Sequence, residues 1–244
     1  MKNNIKTAVC IAGYFDSLTD PTSKGVDGYK HLQEHVFSKS DVDVYIHSWD
    51  TKNKEAILDL YGDSVKKHSF ESQIDFSSLE TMPQGSGHIP QSRVFSQFYS
   101  VQKSFELLKE ANVEYDCVIK TRFDVGRINR RTSGSPNSIN PYAVQCINFD
   151  PYLDMEKFYM ARWAQETFDE EGPADMWFYS DHKNMLAFAS VFDLIKKEMK
   201  IGGEMERWAG TAHGGLMNTI KCYKWFLIRK NLWEKKIPLP TTWE

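Results

Sequence analysis

Lys120, Arg122 and Asp124 stand at alternate positions in the stretch "YDCVIKTRFDV", residues 115–125. Alternate side chains of an extended chain share one face, so two cations and a carboxylate would converge at the tip of a strand whose body is apolar. Charges gathered in that way are costly unless they pair with one another or hold a ligand. Cations at this spacing suit an anion, and a carboxylate suits a divalent cation or a proton. A structural ion pair between Arg122 and Asp124 is the plainer reading of the same residues.

A second constellation is "HLQEH", His31 to His35. It matches the inverted zinc-protease pattern H-x-x-E-H, in which the two histidines of one helical face bind Zn²⁺ and Glu34 serves as general base. Five residues match by chance easily, and no third ligand is defined.

The elements that must position these residues alternate between strand and helix. "IKTAVCIAG" reads as a buried first strand ending at Gly13, and "DVDVYIHSWD" as a second ending at Asp50, with a helix between them. "VKKHSFES" reads as a third strand, followed by a long Ser, Gly and Pro-rich loop, "TMPQGSGHIPQS". From Ser92 to Asn112, Phe95, Phe98, Val101, Phe105 and Leu108 recur at helical spacing and lead into the charged strand. A polar segment, "GRINRRTSGSPNSINP", separates that strand from "YAVQCINF" and "ADMWFYS". One helix with Met185, Ala189, Phe192, Ile195 and Met199 on a face follows, and a last one carries Leu216, Ile220, Tyr223 and Leu227. This order predicts an α/β fold, a mainly parallel sheet flanked by helices on both faces, in one domain. Ligands of such sheets sit beyond the carboxyl ends of the strands, where Gly13, Asp50 and Asp124 fall.

The composition of the 244 residues, 41% hydrophobic and 26% charged, is that of a soluble globular chain. A net charge of -3 leaves no electrostatic footprint for nucleic acid, although a local patch would still allow such binding. Four scattered cysteines without a C-x-x-C pair read as reduced core residues. The amino-terminal stretch lacks the pattern of a signal peptide and no apolar run reaches 18 residues, so the expected location is cytoplasmic. The basic, aromatic "KCYKWFLIRKNLWEKK" suits peripheral contact with an anionic membrane surface, or equally an amphipathic helix packing Leu227 and Trp233 on the core, the favoured reading.

Taken together, "AVCIAGYFDS", "DVDVYIHSWD", "SQFYSVQKSFELL" and above all "YDCVIKTRFDV" resemble the glycosyltransferase-like proteins of bacteria and large viruses typified by the WavE lipopolysaccharide-synthesis group. The resemblance covers roughly residues 7 to 125. It implies a GT-A-like, Rossmann-like domain with a nucleotide-sugar-binding half over 1–125 and an acceptor-side half over 126–244. It also implies transfer of a sugar from a nucleoside-diphosphate sugar to an acceptor hydroxyl of a glycan or lipid-linked glycan, as in polysaccharide biosynthesis. A viral glycan or a modified nucleic-acid base stays open as acceptor.

In that setting Asp124 takes the position of a ligand to Mn²⁺ or Mg²⁺, with His213 as a second ligand. Lys120 and Arg122 face the diphosphate, Gly13 and Tyr14 admit the nucleotide backbone, Asp50 or a stacked Trp49 meets the ribose or base, and Arg93 and Tyr99 reach in from the preceding helix. Asp175, opening an aromatic strand after a Gly-Pro turn, is the expected general base. The chain departs from the usual D-x-D of such enzymes, since Arg122 stands where the first acid would be. A protein that binds nucleotide sugars without turning them over is the non-catalytic alternative, and its discriminating property is the absence of donor hydrolysis.

Overall fold

The computed structural model describes residues 5–16, 24–81, 89–126, 146–161, 172–210 and 218–239. The chain begins with β1 (Lys6–Gly13), α1 (Lys24–Leu32), which runs on into a π turn over Gln33–Phe37, and β2 (Asp41–Ser48). Then come α2 (Lys54–Tyr61), β3 (Val65–Phe70), the long α3 (Gln91–Ala111) and β4 (Cys117–Arg122). The second half supplies β5 (Phe158–Ala161), β6 (Phe178–Ser180), α4 (His182–Met185), α5 (Val191–Glu198), α6 (Glu204–Gly210), α7 (Thr219–Arg229) and β7 (Lys236–Leu239).

Among the described residues seven strands form one sheet, in the order β3-β2-β1-β4-β6-β5-β7. β1 pairs in parallel with β2 and β4, β2 with β3, and β5 with β7, while β6 runs antiparallel to both its neighbours. The expected α/β architecture, a mainly parallel sheet flanked by helices, is therefore present. Strands from both halves of the chain enter the same sheet.

Burial explains the strand sequences. All of Thr7 to Ala12 in β1 is buried, so a near-continuous apolar run is what a central strand covered on both faces requires. At the edge, β3 alternates and only half-buries its residues. One core lies on the face of Ala8, Cys10 and Val118, against Phe95, Phe98, Phe105, Tyr223 and Phe226 of α3 and α7. The other lies on the face of Val9, Ile11 and Ile119, against Leu32, Val36, Ile57 and Tyr61 of the α1 and α2 side.

Three local features go beyond the sequence pattern. The face Met185 to Met199 belongs to two helices, because a 3₁₀ turn over Leu186–Ser190 and the extended φ of -134° at Ser190 interrupt it. The four-residue strands β5 and β7 carry too short a pattern to be read, and β7 includes Pro238, which an edge position tolerates. No strand runs through Cys146–Phe149 of "YAVQCINF". Residues 82–88 of the Ser, Gly and Pro-rich loop, the polar segment from 127 on, and His213 lie outside the described residues.

The basic, aromatic carboxyl-terminal segment is spent inside. Cys222, Tyr223, Trp225, Phe226, Leu227 and Trp233 are all buried and pack on the core, as the amphipathic-helix reading expects, while Ile228 is exposed. No helix among the described residues is long and apolar enough to cross a membrane.

Candidate functional site

The chain extends the sheet from β1 to β2 and β3 on one side, and α3 then carries it back to place β4 on the other side of β1. The crossovers leave on opposite faces, since the α1 side packs on Val9 and Ile11 and α3 packs on Ala8 and Val118. Between β1 and β4 the strand order therefore reverses, which is where open α/β sheets form a crevice at the carboxyl edge.

A cleft of about 410 Å³ opens there. Gly13 and Tyr14 line it from the end of β1, Trp49 from the end of β2, Arg122 and Asp124 from the tip of β4, and Arg93, Ser96, Gln97 and Ser100 from one face of α3. A second groove of about 440 Å³ shares Gln73, Arg93 and Ser96 with it and continues along the first turn of α3. Gly13 has φ +118°, and a Cβ there would meet nothing within 4 Å. The backbone dihedral, not lack of room, calls for glycine at this strand end.

Arg122 organises the tip of β4. Its Nε and Nη2 donate to Oδ1 and Oδ2 of Asp124, each at 2.9 Å, and its Nη1 donates to Asp175 Oδ2 at 3.2 Å. Gln97 on α3 donates to the same Oδ2 at 2.8 Å. The alternation of residues 120, 122 and 124 does put all three on one face, that of α3, but at different depths. Lys120 is fully buried; its ammonium donates to the carbonyl of Asp175 and lies 5.1 and 4.9 Å from the ring centres of Phe178 and Tyr223. Lys120 thus lies under the site, sealed from the cleft, and does not face a diphosphate as expected.

The charges tune one another. Burial pulls Lys120 down to about 7, against the opposing pull of Asp175. Burial alone would raise the Asp175 carboxyl, but Arg122, Lys120 and Gln97 outweigh it and hold the group below the usual carboxylate range. Asp175 is consequently ionised at neutral pH.

The described residues do not by themselves offer a divalent cation a donor set. Both oxygens of Asp124 are engaged by the Arg122 fork, and the next carboxylate, Asp175, lies on the other side of the same guanidinium. No group of three His, Cys, Asp or Glu among the described residues could hold a metal ion.

The remaining expected residues divide. Arg93 is exposed on the first turn of α3 and reaches the cleft. Asp50 does not: it is 2% exposed, and its oxygens accept from the backbone and side-chain nitrogens of Asn53 at 3.2 and 2.8 Å, fixing the turn into α2. Tyr99 stands behind the cleft wall, stacked on Trp49 with centroids 5.3 Å apart.

Sequence reasoning missed a polar chain beneath Trp49. His47 Nδ1 is 2.7 Å from Ser100 Oγ, and its Nε2 is 2.7 Å from Glu71 Oε1. Burial pushes His47 down despite Glu71, so the neutral ring donates from Nε2 and accepts the serine hydroxyl at Nδ1. The order mimics a serine, base and acid triad. Ser100, however, is 1% exposed in the middle of a helix, where the neighbouring N–H groups are spent on helical bonds and none is left for an oxyanion. The chain ties α3 to β2. Gln97 was missed as well, and its signal was the polar series 93, 96, 97 and 100 at helical spacing.

His31 and His35 do share a face, with ring centres 4.2 Å apart. Yet His31 Nε2 accepts the backbone N–H of Ile147 at 2.9 Å, and burial pushes its pKa down to about 3. That nitrogen orders the segment at Ile147 and is not presented to a zinc ion.

No family model matches the sequence, and no curated protein matches it. Among solved structures, the chain is similar to a protein of Desulfovibrio desulfuricans G20 provisionally described as a nucleotide-diphospho-sugar transferase, at 14% identity and a TM-score of 0.36, over 96% of this chain and 79% of that one. It is also similar to a glycosyltransferase involved in the glycosylation of the major capsid of PBCV-1, at 11% identity and a TM-score of 0.31, over 78% of this chain and 67% of that one. Likeness at this level says nothing about the chemistry of this chain.

Proposed function

We propose that the cleft at the carboxyl ends of β1 and β4 binds a nucleoside-diphosphate sugar and that the protein transfers the sugar to an acceptor hydroxyl. One observation carries the reading: an aromatic wall, a glycine strand end and two arginines meet at the point where the strand order reverses. Trp49 suits a base, Gly13 leaves room for a ribose or phosphate, and Arg93 with Arg122 suits the diphosphate.

In the transfer, the bond from the anomeric carbon to the phosphate oxygen breaks, the nucleoside diphosphate leaves with the electron pair, and the acceptor oxygen bonds to that carbon while losing its proton. Arg122 orients the leaving group and offsets the charge it gains. Asp175, ionised and directly beside Arg122, is the proposed base for the acceptor proton. The acceptor we propose is a glycan or lipid-linked glycan of polysaccharide biosynthesis, on the motif resemblance alone. A divalent ion, where one enters with the donor, would supply further neutralisation of the diphosphate.

Thermal-shift and calorimetric titration with UDP, GDP, CDP and dTDP tests the donor site. Stabilisation by one of them at millimolar levels is expected by mass action, and slow hydrolysis of the matching nucleotide sugar should follow. A binding-only protein gives the shift without hydrolysis; a protein that responds to none of the four ends the assignment.

A further inference from the structure

We infer that the cleft grips its diphosphate with the guanidinium groups of Arg122 and Arg93 and requires no divalent cation to do so. This inference rests on the nucleotide reading of the cleft and specifies how that site handles charge.

Among the described residues, the charged side chains that line the cleft are Arg93, Arg122 and Asp124, two cations against one carboxylate. An entering anion therefore meets two guanidiniums at the cleft wall, while the carboxylates that balance them, Asp124 and Asp175, are both spent on Arg122. A metal at Asp124 would have to share oxygens that already accept from Arg122, and would do so against the charge of that guanidinium. It would sit beside that guanidinium, in a wall that adds no second carboxylate among the described residues, whereas Mg²⁺ and Mn²⁺ are ordinarily held through carboxylate and phosphate oxygens together.

Arg122 is suited to replace the ion. A guanidinium has five N–H donors in a planar fork, and three are given to Asp124 and Asp175, which leaves two. Those three bonds fix the plane of the group, so its remaining donors are pre-oriented, and little side-chain entropy is lost when they meet phosphate oxygens. Asp175 is in turn held by Gln97, so the orientation passes back to α3, the helix that also presents Arg93. The arrangement is a pair of guanidiniums, one of them braced by two aspartates, rather than a carboxylate cage awaiting a metal.

The test is calorimetric titration of the full chain with UDP, GDP, CDP and dTDP, each in excess EDTA and in millimolar MnCl₂. Affinity in EDTA within about threefold of that in MnCl₂ is expected, because charge-assisted bonds from arginine carry the diphosphate. Arg93→Ala, an exposed position that leaves the fold undisturbed, and Arg122→Lys, which keeps the charge but loses the fork, should each weaken binding in EDTA by about tenfold. Binding that needs MnCl₂ overturns the inference while leaving the nucleotide reading in place. Binding in EDTA that ignores both substitutions also overturns it. Binding of none of the four under either condition removes the nucleotide reading, and the inference with it.

Discussion

The indole of Trp49 lies nearly flat on the ring of Tyr99, with planes 21° apart, and Tyr99 in turn packs edge-on against Phe192 at 5.3 Å. The wall of the cleft is therefore one aromatic layer braced by another, and His47 meets Trp49 at right angles from the sheet side. Trp49→Phe should keep most of this packing, costing less than the about 3–5 kcal/mol of full truncation, yet should weaken nucleoside diphosphate binding by about tenfold if a base stacks there. Calorimetry with inorganic pyrophosphate is the control. A variant that loses pyrophosphate to the same extent has lost the phosphate site, and the stacking role is then wrong.

Asp124 gives a prediction opposite in sign to that of a metal ligand. Because both its oxygens accept from Arg122, Asp124→Asn should cost about 1–3 kcal/mol of stability through weakened charge-assisted bonds. It should also raise the affinity for a nucleoside diphosphate in EDTA, since the cleft loses the one carboxylate that lines it among the described residues. Urea unfolding and calorimetry together check this. A fold of unchanged stability with binding abolished would identify a metal ligand instead.

Lys120 sets a pH dependence of stability. Burial pulls it down to about 7, well below the roughly 10.4 of an unfolded lysine. Between these values the unfolded chain binds a proton that the folded chain does not, so this group's contribution to stability rises with pH across the window. Its cost is fully present below about pH 7 and is relieved toward pH 10. Lys120→Met, which fills the same space under Phe178 and Tyr223 without a charge, should gain on wild type by a few kcal/mol at pH 6 and by much less at pH 9.5. Unfolding midpoints at the two pH values measure this; a difference that does not change with pH means that the ammonium is not desolvated.

The parts of this molecule that follow from local periodicity were legible before the structure. The face of α3, the buried run of β1 and the shared side of residues 120, 122 and 124 come from spacing alone. What spacing does not encode is depth and partnership. Lys120 and Arg122 are two positions apart and chemically alike, yet Phe178 and Tyr223 close over one and the cleft opens on the other. Asp50 has the sequence setting of a strand-end ligand, and only the return of the chain at Asn53 spends its oxygens. The polar series on α3 points to Gln97, but not to its partner: Asp175 is 78 residues away, just before β6.

The role of Asp175 is the sharpest test of the catalytic reading, because the residue could act on the acceptor or only hold Arg122. A base takes the proton in the transition state, so Asp175→Asn, whose amide oxygen can still accept from Arg122, should lower kcat by about 10²- to 10⁴-fold with a far smaller loss of nucleotide affinity. A residue that merely orients Arg122 gives the other pattern, a weaker nucleotide complex whose loss is shared between binding and turnover. The pH profile separates the two independently. Arg122, Lys120 and Gln97 hold the Asp175 carboxyl below the usual carboxylate range against the raising effect of burial. A base must be deprotonated, and a depressed pKa means that protonation, and with it the loss of activity, sets in only as pH falls through that lowered value. The acidic limb of kcat/KM should therefore lie below the range of an ordinary aspartate. Arg122→Gln removes the largest stabilising charge, so the limb should move upward toward neutrality in that variant as the burial of Asp175 goes uncompensated. A limb that stays in place when Arg122 is neutralised assigns the titration, and the base, to another residue.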